Sequence, residues 1–395
     1  MIIQYGHTKY ENGGIMKPGI YYDISNEDYH KGAGISKSGL DLIAKSPAHY
    51  KAVIDGITVR EPTKAQSLGT AFHELLLEPD LFWSKHVEPL KRNDYPNAKQ
   101  SADLVEMINE LNKTRLPKLS MTGSKDDLVS RIISEIYAND MTDLETFQGM
   151  KASELKDIIV SANESRHGLL KSSGSTEELA KTLRDNGAEF KLWSEIKAEY
   201  AAANGGKTIL EDELFYQLIN MRDAVYAHPS ANKLLTKVPG KAEVSAYWHD
   251  PETGEMCRVR PDFWREDGYI VDLKTTADAS PEAFAKSVAN FRYHVQAPYY
   301  MDGLNHAAEQ GGIEITPIKG FVFLAVEKDA CVVNGESKGV GVYVLDEDAL
   351  YEGGAQYRKD LSTYVRCCNE NKWPGYSNKV EKLTLPKSAF KSEEV

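Results

Sequence analysis

Residues 256–274 read MCRVRPDFWREDGYIVDLK, and this stretch carries the pattern that decides the fold. The runs Met256 to Phe263 and Tyr269 to Lys274 are rich in β-prone residues, and each predicts a strand. Upstream, Ala242 to Trp248 is another β-prone run, and the sequence DPETG at 250–254 is typical of a turn. We therefore predict a β-hairpin followed by a third strand.

Two aspartates and a lysine occur in these strands. The motif RPD at 260–262 is followed, ten residues after its aspartate, by the motif DLK at 272–274. Because side chains alternate along a strand, Asp272 and Lys274 should share a face. Two carboxylates can bind Mg²⁺, which keeps several waters, and the lysine could position or deprotonate a bound water or stabilise developing charge. On spacing alone, an ordinary surface ion pair is an equal alternative.

The composition is that of a globular protein. The chain has 395 residues, of which 41% are hydrophobic and 27% charged, and no run of about 18 apolar residues predicts a membrane span. The start of the chain lacks the features of a secretory signal, so we expect a cytoplasmic protein. The net charge of −12 argues against a surface coated for nucleic-acid binding, although basic groups confined to one channel stay compatible with it.

Strand and helix patterns mix along the rest of the chain. Ser67 to Leu77 predicts a helix that ends at Pro79, and Pro281 to Asn305 is mostly helical in pattern. Further elements are predicted over Glu211 to Ala227 (helix), Gly320 to Val326 (strand), Val340 to Leu345 (strand) and Glu347 to Cys368 (helix). This mixture predicts an α/β core.

Residues 101–187 contain an internal repeat. A shift of 51 residues aligns 104–132 with 155–183 without gaps and makes eight positions identical, among them Ser124 and Ser175. Each copy predicts a helix, a short loop and a second helix that begins at the serine N-cap. We interpret 101–187 as a duplicated all-α module inserted into the larger domain.

The chain outside this repeat resembles the PD-(D/E)xK nucleases, and among them the exonuclease VIII (RecE) group of phage and prophage exonucleases. The resemblance lies in PGIYYDISNEDYHKGAGISKSGLDLIAKSPAHY and LGTAFHELLLEP, then in AEVSAYWHDPETGEMCRVRPDFW, IVDLKTTAD, RYHVQAPYY in part, and GFVFLAVE. It covers about residues 17–92 and 205–390. It implies a restriction-endonuclease-like core, in which helices flank a central mixed β-sheet that the all-α insertion interrupts.

The resemblance implies roles for individual residues. His73, Asp262 and Asp272 match metal ligands, and the Leu273 carbonyl is a further ligand candidate. Lys274 matches the catalytic lysine, and Glu243 matches an acid near the metals. The remaining matches are to a Q-x-x-x-Y element on a helix, Gln296 and Tyr300.

The residues themselves leave alternatives open. A histidine beside apolar Phe72 is more often a core residue than a ligand, and Glu243 could be a solvated strand residue. Pro298 cannot donate a helical hydrogen bond, so the helix either starts near Gln296 or is distorted.

Three arginines are candidates for binding DNA. Arg258 and Arg260 share the predicted strand face of Asp262 and could bind backbone phosphates, and charge balance against the acids is as good an interpretation. Arg292 lies one predicted helical turn before Gln296 on the same face.

The predicted activity is Mg²⁺-dependent 5′→3′ degradation of linear double-stranded DNA, which leaves 3′ single strands for recombination. Mn²⁺ is an expected substitute for Mg²⁺. The four cysteines lack iron–sulfur spacing and no GxxxxGK[ST] loop occurs, so we expect neither a cluster nor ATP use. The alternatives are a structure-specific or restriction-like endonuclease and a catalytically silent binding module.

The resemblance also implies a homo-oligomeric ring, with four subunits expected, a single-strand annealing recombinase as a partner and a bacterial cytoplasm as the location. The module at 101–187 is weakly similar to SAP-like helical hairpins, and its net charge of −4 favours protein contact slightly over DNA contact. The predicted organisation is a tail (1–15), a first nuclease segment (16–100), the module (101–187), a second nuclease segment (188–390) and a tail (391–395).

Overall fold

The computed structural model describes residues 16–58 and 63–385, so both predicted tails lie outside the described residues. The chain divides into two compact units. One, here called the nuclease unit because it contains the segments that carry the resemblance, combines the described residues of 1–88 and 210–395, and the other, the inserted unit, comprises 89–209. The inserted unit contains the whole repeat at 101–187.

The nuclease unit alternates helices and strands. Its strands are β1 (Gly19–Tyr21), β2 (His86–Val87), β4 (Gly240–Ala242), β5 (Ser245–His249), β6 (Met256–Val259), β7 (Phe263–Arg265), β8 (Tyr269–Thr276), β9 (Gly320–Val333) and β10 (Glu336–Val344). Its helices are α1 (Asn26–Lys31), α2 (Lys37–Lys45), α3 (Pro47–Ile54), α4 (Lys64–Leu77), α5 (Pro79–Lys85), α12 (Asp212–Ala227), α13 (Pro229–Thr236), α14 (Pro281–Asn290), α15 (Tyr293–Gly311) and α16 (Glu347–Glu370).

The central sheet of the nuclease unit is mixed. Its order is β10-β9-β8-β7-β4, with β8 and β9 parallel and the other neighbours antiparallel. A smaller antiparallel sheet has the order β1-β5-β6. Helices cover both faces of β8, because Ile270 packs in one apolar cluster with Val295 of α15, whereas Leu273 packs in another with Phe72 of α4. The predicted α/β fold is confirmed.

The predicted strand from Met256 to Phe263 is wrong as a single strand. It is two strands, β6 and β7, in two different sheets, and the chain between them is not extended sheet. Pro261 lies at the break, and its missing N–H cannot donate to a ladder. Asp262 therefore stands at the start of β7 and is not on a common strand face with Arg258 and Arg260.

The predicted strand from Ala242 to Trp248 is also divided. Glu243 lies between β4 and β5 with a φ of 52°, in the left-handed region that non-glycine residues seldom adopt. Its backbone N–H donates to the Asp262 carbonyl at 3.1 Å, which holds this bend against the start of β7. The bend places an acidic side chain at the point where the two sheets separate.

Helix α15 contains Pro298 in its interior, so of the two expected alternatives the helix start near Gln296 is wrong. The expected helical position of Arg292 is wrong as well. The helix begins at Tyr293, and Arg292 precedes it with a φ of 56°. The proline leaves the His294 carbonyl without its usual intrahelical donor. Gly353 of α16 packs directly against that carbonyl: a Cβ there would lie 1.8 Å from the oxygen, so only glycine permits this approach.

The inserted unit is helical, with a short strand β3 (Thr208–Ile209) at its end. Its helices are α6 (Ser101–Lys113), α7 (Lys125–Glu135), α8 (Leu144–Gly149), α9 (Ala152–Glu164), α10 (Thr176–Asp185) and α11 (Trp193–Ala203), with a 3₁₀ turn at Arg92–Asp94. Ser124 and Ser175 cap α7 and α10, and each cap is a full capping box with Asp127 or Glu178. The two predicted N-caps are confirmed.

The two copies of the repeat exchange helices. The first helix of copy one, α6, packs with the second helix of copy two, α10, and α7 packs with α9. Equivalent asparagines make reciprocal bonds: the Asn112 side chain bonds both backbone groups of Leu170, and that of Asn163 bonds both of Leu119, at 2.7–3.0 Å. Neither copy is therefore a self-contained helical hairpin.

Within each unit, a backbone contact joins two chain segments that lie toward the unit boundaries. In the nuclease unit the Leu210 N–H donates to the Val87 carbonyl at 3.0 Å. In the inserted unit Lys99 pairs with Leu192 in a parallel bridge. The nuclease unit thus brings together the two chain segments that flank the insertion, as an inserted domain requires. Over residues 16–58 and 63–385, no helix has the length and apolar character needed to cross a bilayer.

Candidate active site

The two motif aspartates lie side by side in the central sheet. Phe263 pairs with Val271 and Trp264 with Ile270, so continuing this antiparallel register by one residue sets Asp262 opposite Asp272. Asp262 Oδ2 accepts a hydrogen bond from the Leu273 backbone N–H at 2.7 Å. The order of strands, rather than closeness in sequence, brings the two carboxylates together.

Helix α4 adds the histidine. The helix begins three residues before the predicted Ser67, because Thr63 and Gln66 form a capping box. A Cβ at Gly69 would lie 3.1 Å from Thr275 Oγ1, so the glycine lets α4 approach β8 closely. One turn later, His73 Nδ1 lies 3.5 Å from Asp262 Oδ2.

Three side chains form a potential metal-binding set. Ligand atoms of His73, Glu243 and Asp262 all lie within 4.8 Å of one another. Two carboxylates and one imidazole suit a divalent cation such as Mg²⁺ or Mn²⁺. A backbone hydrogen bond with Leu273 acts to raise the pKa of His73, which places the Leu273 backbone close to the imidazole. The residues present thus fit a divalent cation.

Asp272 has different partners. It is fully buried, forms an ion pair with Lys274 through Oδ1, and accepts a hydrogen bond from Gln296 Nε2 at Oδ2, at 2.6 Å. It does not belong to the three-residue set above. Gln296 therefore reaches the site despite Pro298, and it fixes the orientation of the Asp272 carboxylate.

The electrostatics of the site favour a bound cation. Burial raises the pKa of Asp272 to about 6 against the lowering effect of Lys274, and burial followed by repulsion from Asp262 raises the pKa of Glu243. Burial also raises the pKa of Asp262, again opposed by Lys274. Burial and then Lys274 lower the pKa of His73 to about 4, which leaves the imidazole neutral and able to ligate.

Lys274 stays an ammonium. Burial by itself lowers the pKa of Lys274, but the Asp272 and Asp262 carboxylates more than offset this, so the pKa is raised. Its Nζ lies 4.7 Å from the centroid of the Tyr293 ring. Tyr293 was not among the predicted site residues, and no periodicity could indicate it, because α15 starts at this residue.

The candidate DNA-binding arginines are engaged within the protein. Arg260 Nε donates to Glu243 Oε2 at 2.8 Å and a second nitrogen donates to the Ile24 carbonyl. Arg258 donates to the carbonyls of His30, Gly32 and Ala33. Charge balance, the alternative interpretation, describes Arg260, and Arg258 anchors the loop after α1.

The last two predicted residues lie on α15 or beside it. Arg292 pairs with Asp41 and Asp360 at 3.1 and 2.5 Å, so its guanidinium faces α2 and α16. The pKa of Tyr300 is raised far above its ordinary value, first by burial, then by Tyr29 and the site acids. Tyr300 thus lies within electrostatic reach of Asp272 and Asp262, and its ring packs on Phe321.

A mixed sheet that presents Pro261-Asp262 and Asp272-Leu273-Lys274 at adjacent strands, with a potential metal set beside them, defines a PD-(D/E)xK nuclease-type domain. Residues 174–386 match the family DUF3799, described as a PDDEXK-like domain of unknown function. The chain belongs to this family.

Other comparisons are less informative. No match was found among curated proteins. The chain is similar to a crystal structure described as a "Putative exonuclease" from Eubacterium rectale, with 14% identity over 58% of this chain and 83% of the other and a TM-score of 0.32. It is also similar to SSO0001, with 10% identity over 67% and 88% of the two chains and a TM-score of 0.18. Both likenesses are too weak to support a conclusion.

Proposed function

We propose that the protein is a Mg²⁺-dependent exodeoxyribonuclease that degrades linear double-stranded DNA in the 5′→3′ direction. The observation that carries this proposal is the convergence of Asp262, Asp272 and Lys274 beside a His73–Glu243–Asp262 set in a PD-(D/E)xK domain. The end dependence, the polarity and the role in recombination are supported by the resemblance to the exonuclease VIII group alone.

The residues of the site have different roles in the proposed reaction. His73, Glu243 and Asp262 would hold the cation, with the Leu273 carbonyl at hand. A bound divalent cation supplies Lewis-acid polarisation of a phosphoryl oxygen and a more acidic water. Lys274, kept as an ammonium by its ion pair with Asp272, stabilises the negative charge that develops as water attacks phosphorus and the P–O3′ bond breaks.

Gln296 is a positioning residue in this scheme. Its amide donates to Asp272, whose other oxygen pairs with Lys274, so it acts on the reaction through these two side chains. Arg260 plays a similar part for Glu243, because its guanidinium holds one carboxylate oxygen and leaves the other available to a cation.

The test compares linear and covalently closed circular plasmid DNA in Mg²⁺, Mn²⁺ and EDTA. We expect digestion of the linear form in either metal, none in EDTA and none of the circle. A label at the 5′ end should be released as a mononucleotide before a label at the 3′ end. Cutting of the circle would replace the exonuclease with an endonuclease, and no digestion of either form would indicate a silent binding module.

Variants test the residues. Asp262→Ala and Asp272→Ala should abolish cleavage, and Lys274→Ala should reduce it by about 10²–10³-fold, because the groups act as one unit. His73→Ala should raise the metal concentration needed. The control is Asp329→Ala, which removes an exposed ion pair with Lys338 outside the site. Full activity of Asp272→Ala, with folding shown by circular dichroism, would refute the assignment.

We also propose a closed homo-oligomer, with four subunits expected, that works with a single-strand annealing recombinase. The resemblance supports both, and the net charge of −12 is compatible with basic groups facing a channel. Sedimentation at working concentration should show one closed assembly, and a monomer there would refute the ring.

A further inference from the structure

An exposed aromatic side chain lies beside the candidate site. Phe291 occupies the turn between α14 and α15, and 61% of its surface is exposed. Single exposed aromatics are ordinary on protein surfaces. What sets Phe291 apart is how its backbone is held and what its ring touches.

The backbone of this turn is constrained from three directions. Arg292, the next residue, is held at a φ of 56°. Its guanidinium is tied to Asp41 of α2 and Asp360 of α16. Lys37, a buried lysine, donates from Nζ to the Phe291 carbonyl at 3.0 Å and pairs with Asp41 at 2.7 Å. Strained non-glycine backbone that its surroundings hold in place is concentrated at functional sites.

The Phe291 ring is connected to the proposed catalytic lysine through one other aromatic ring. Phe291 stacks on Tyr293, with ring centroids 5.6 Å apart and planes 27° from parallel. The Tyr293 ring in turn lies 4.7 Å from Lys274 Nζ and 5.9 Å from Lys37 Nζ. Two stacked aromatic rings therefore extend from the solvent to Lys274, whose ammonium would contact the reacting phosphate.

We propose that Phe291 is a stacking platform for one unpaired nucleobase next to the reacting phosphate. This inference rests on the proposed function and adds that the terminal base pair is opened when the end enters the site. Every base has a π-face, and phenylalanine offers no hydrogen bond, so the platform accepts any base. Tyr293 stacks on one face of Phe291, and the exposure of the residue leaves the opposite face for a base.

The experiment combines protein variants with modified DNA. Linear duplexes carry one abasic residue at the first, second or third position of the 5′-ended strand, and kcat/KM is measured in Mg²⁺. For the wild-type chain, the abasic residue at one position should reduce kcat/KM by about 5–150-fold, the range that corresponds to loss of one stacked base. On normal DNA, the kcat/KM of Phe291→Ala should be lower than that of the wild-type chain by the same factor. On that abasic substrate, the two chains should have the same kcat/KM.

Three further variants serve as comparisons. Phe291→Trp should retain the wild-type rate and its sensitivity to the abasic residue, because an aromatic face remains. Tyr351→Ala removes an aromatic side chain that is 80% exposed on α16, and it should match wild type. Phe291→Leu should behave as Phe291→Ala if the aromatic face matters, and as wild type if apolar bulk alone matters, which would overturn the proposal.

The possible outcomes distinguish a failure of this inference from a failure of the proposed nuclease function. If the wild-type chain degrades no DNA, the proposed function fails. If it degrades DNA but the losses from Phe291→Ala and the abasic residue multiply independently at all three positions, the platform alone is refuted.

Discussion

Two adjacent glycines of α16 offer a matched test of how the site is assembled. A Cβ at Gly353 would lie 1.8 Å from the His294 carbonyl oxygen and 2.6 Å from its carbon, whereas a Cβ at Gly354 would meet nothing within 4 Å. The two residues are both interior to the same helix. We predict that Gly353→Ala and Gly354→Ala change the free energy of unfolding in opposite directions.

The magnitudes follow from the two environments. Alanine is more favourable than glycine in a helix interior by about 1 kcal/mol, so Gly354→Ala should raise the free energy of unfolding by about that amount. Gly353→Ala has the same gain but forces α15 and α16 apart, because the clash is with backbone. Overpacking of this kind costs about 1–3 kcal/mol and occasionally more.

The displacement of α15 in Gly353→Ala should also change the geometry of the candidate active site. Gln296, two residues after His294 on α15, holds Asp272 at 2.6 Å, and hydrogen bonds weaken steeply when they are lengthened. We therefore expect Gly353→Ala to lower nuclease activity and Gly354→Ala to leave it unchanged.

The assay is urea unfolding followed by circular dichroism, with digestion of linear duplex measured in parallel. Equal unfolding midpoints for the two alanine variants would refute the reasoning about the helix contact. A destabilised Gly353→Ala with unchanged activity would show that α15 does not position Asp272.

Two further predictions concern the insertion and the pH dependence. Residues 89–209 can be replaced by a short Gly/Ser linker between Glu88 and Leu210. Because the Val87 and Leu210 backbones are already hydrogen-bonded, we expect the nuclease unit to stay folded and to cleave short duplexes. An aggregated or inactive product would contradict this prediction. In EDTA, the folded-state pKa of His73 of about 4 lies below the ordinary 6.5, so the unfolded chain binds the proton first, and the part of the stability that His73 contributes falls by about 3 kcal/mol as pH falls from about 6.5 toward 4. The raised pKa values of Asp272 and Glu243 act in the opposite direction over the same range, so the effect of His73 is read from the difference between the wild-type chain and His73→Gln. His73→Gln should lack this loss in urea titrations at pH 4–7, and identical pH profiles for the two chains would count against the buried neutral imidazole.

Local patterns determined much of this protein. The β-prone run Tyr269 to Lys274, which contains Asp272, and the apolar stripe of α4 predict elements that the structure contains, because alternation and helical periodicity are properties of short segments. The repeat predicts both serine caps for the same reason, since a cap depends on three or four residues. The acids and the lysine of the site were recognisable from spacing and resemblance.

Only the tertiary structure decided how these pieces combine. The sequence predicts a helix, a short loop and a second helix in each copy of the repeat, but it does not predict that α6 packs on α10 and α7 on α9, because homologous helices offer interchangeable apolar faces. Likewise, Arg260 faces Glu243, and Tyr293 lies beneath Lys274. These partners come from distant parts of the chain, and the contacts depend on the left-handed residues Glu243 and Arg292, whose conformations neighbouring elements impose. Local propensity disfavours such conformations, so no short-range pattern could have indicated them.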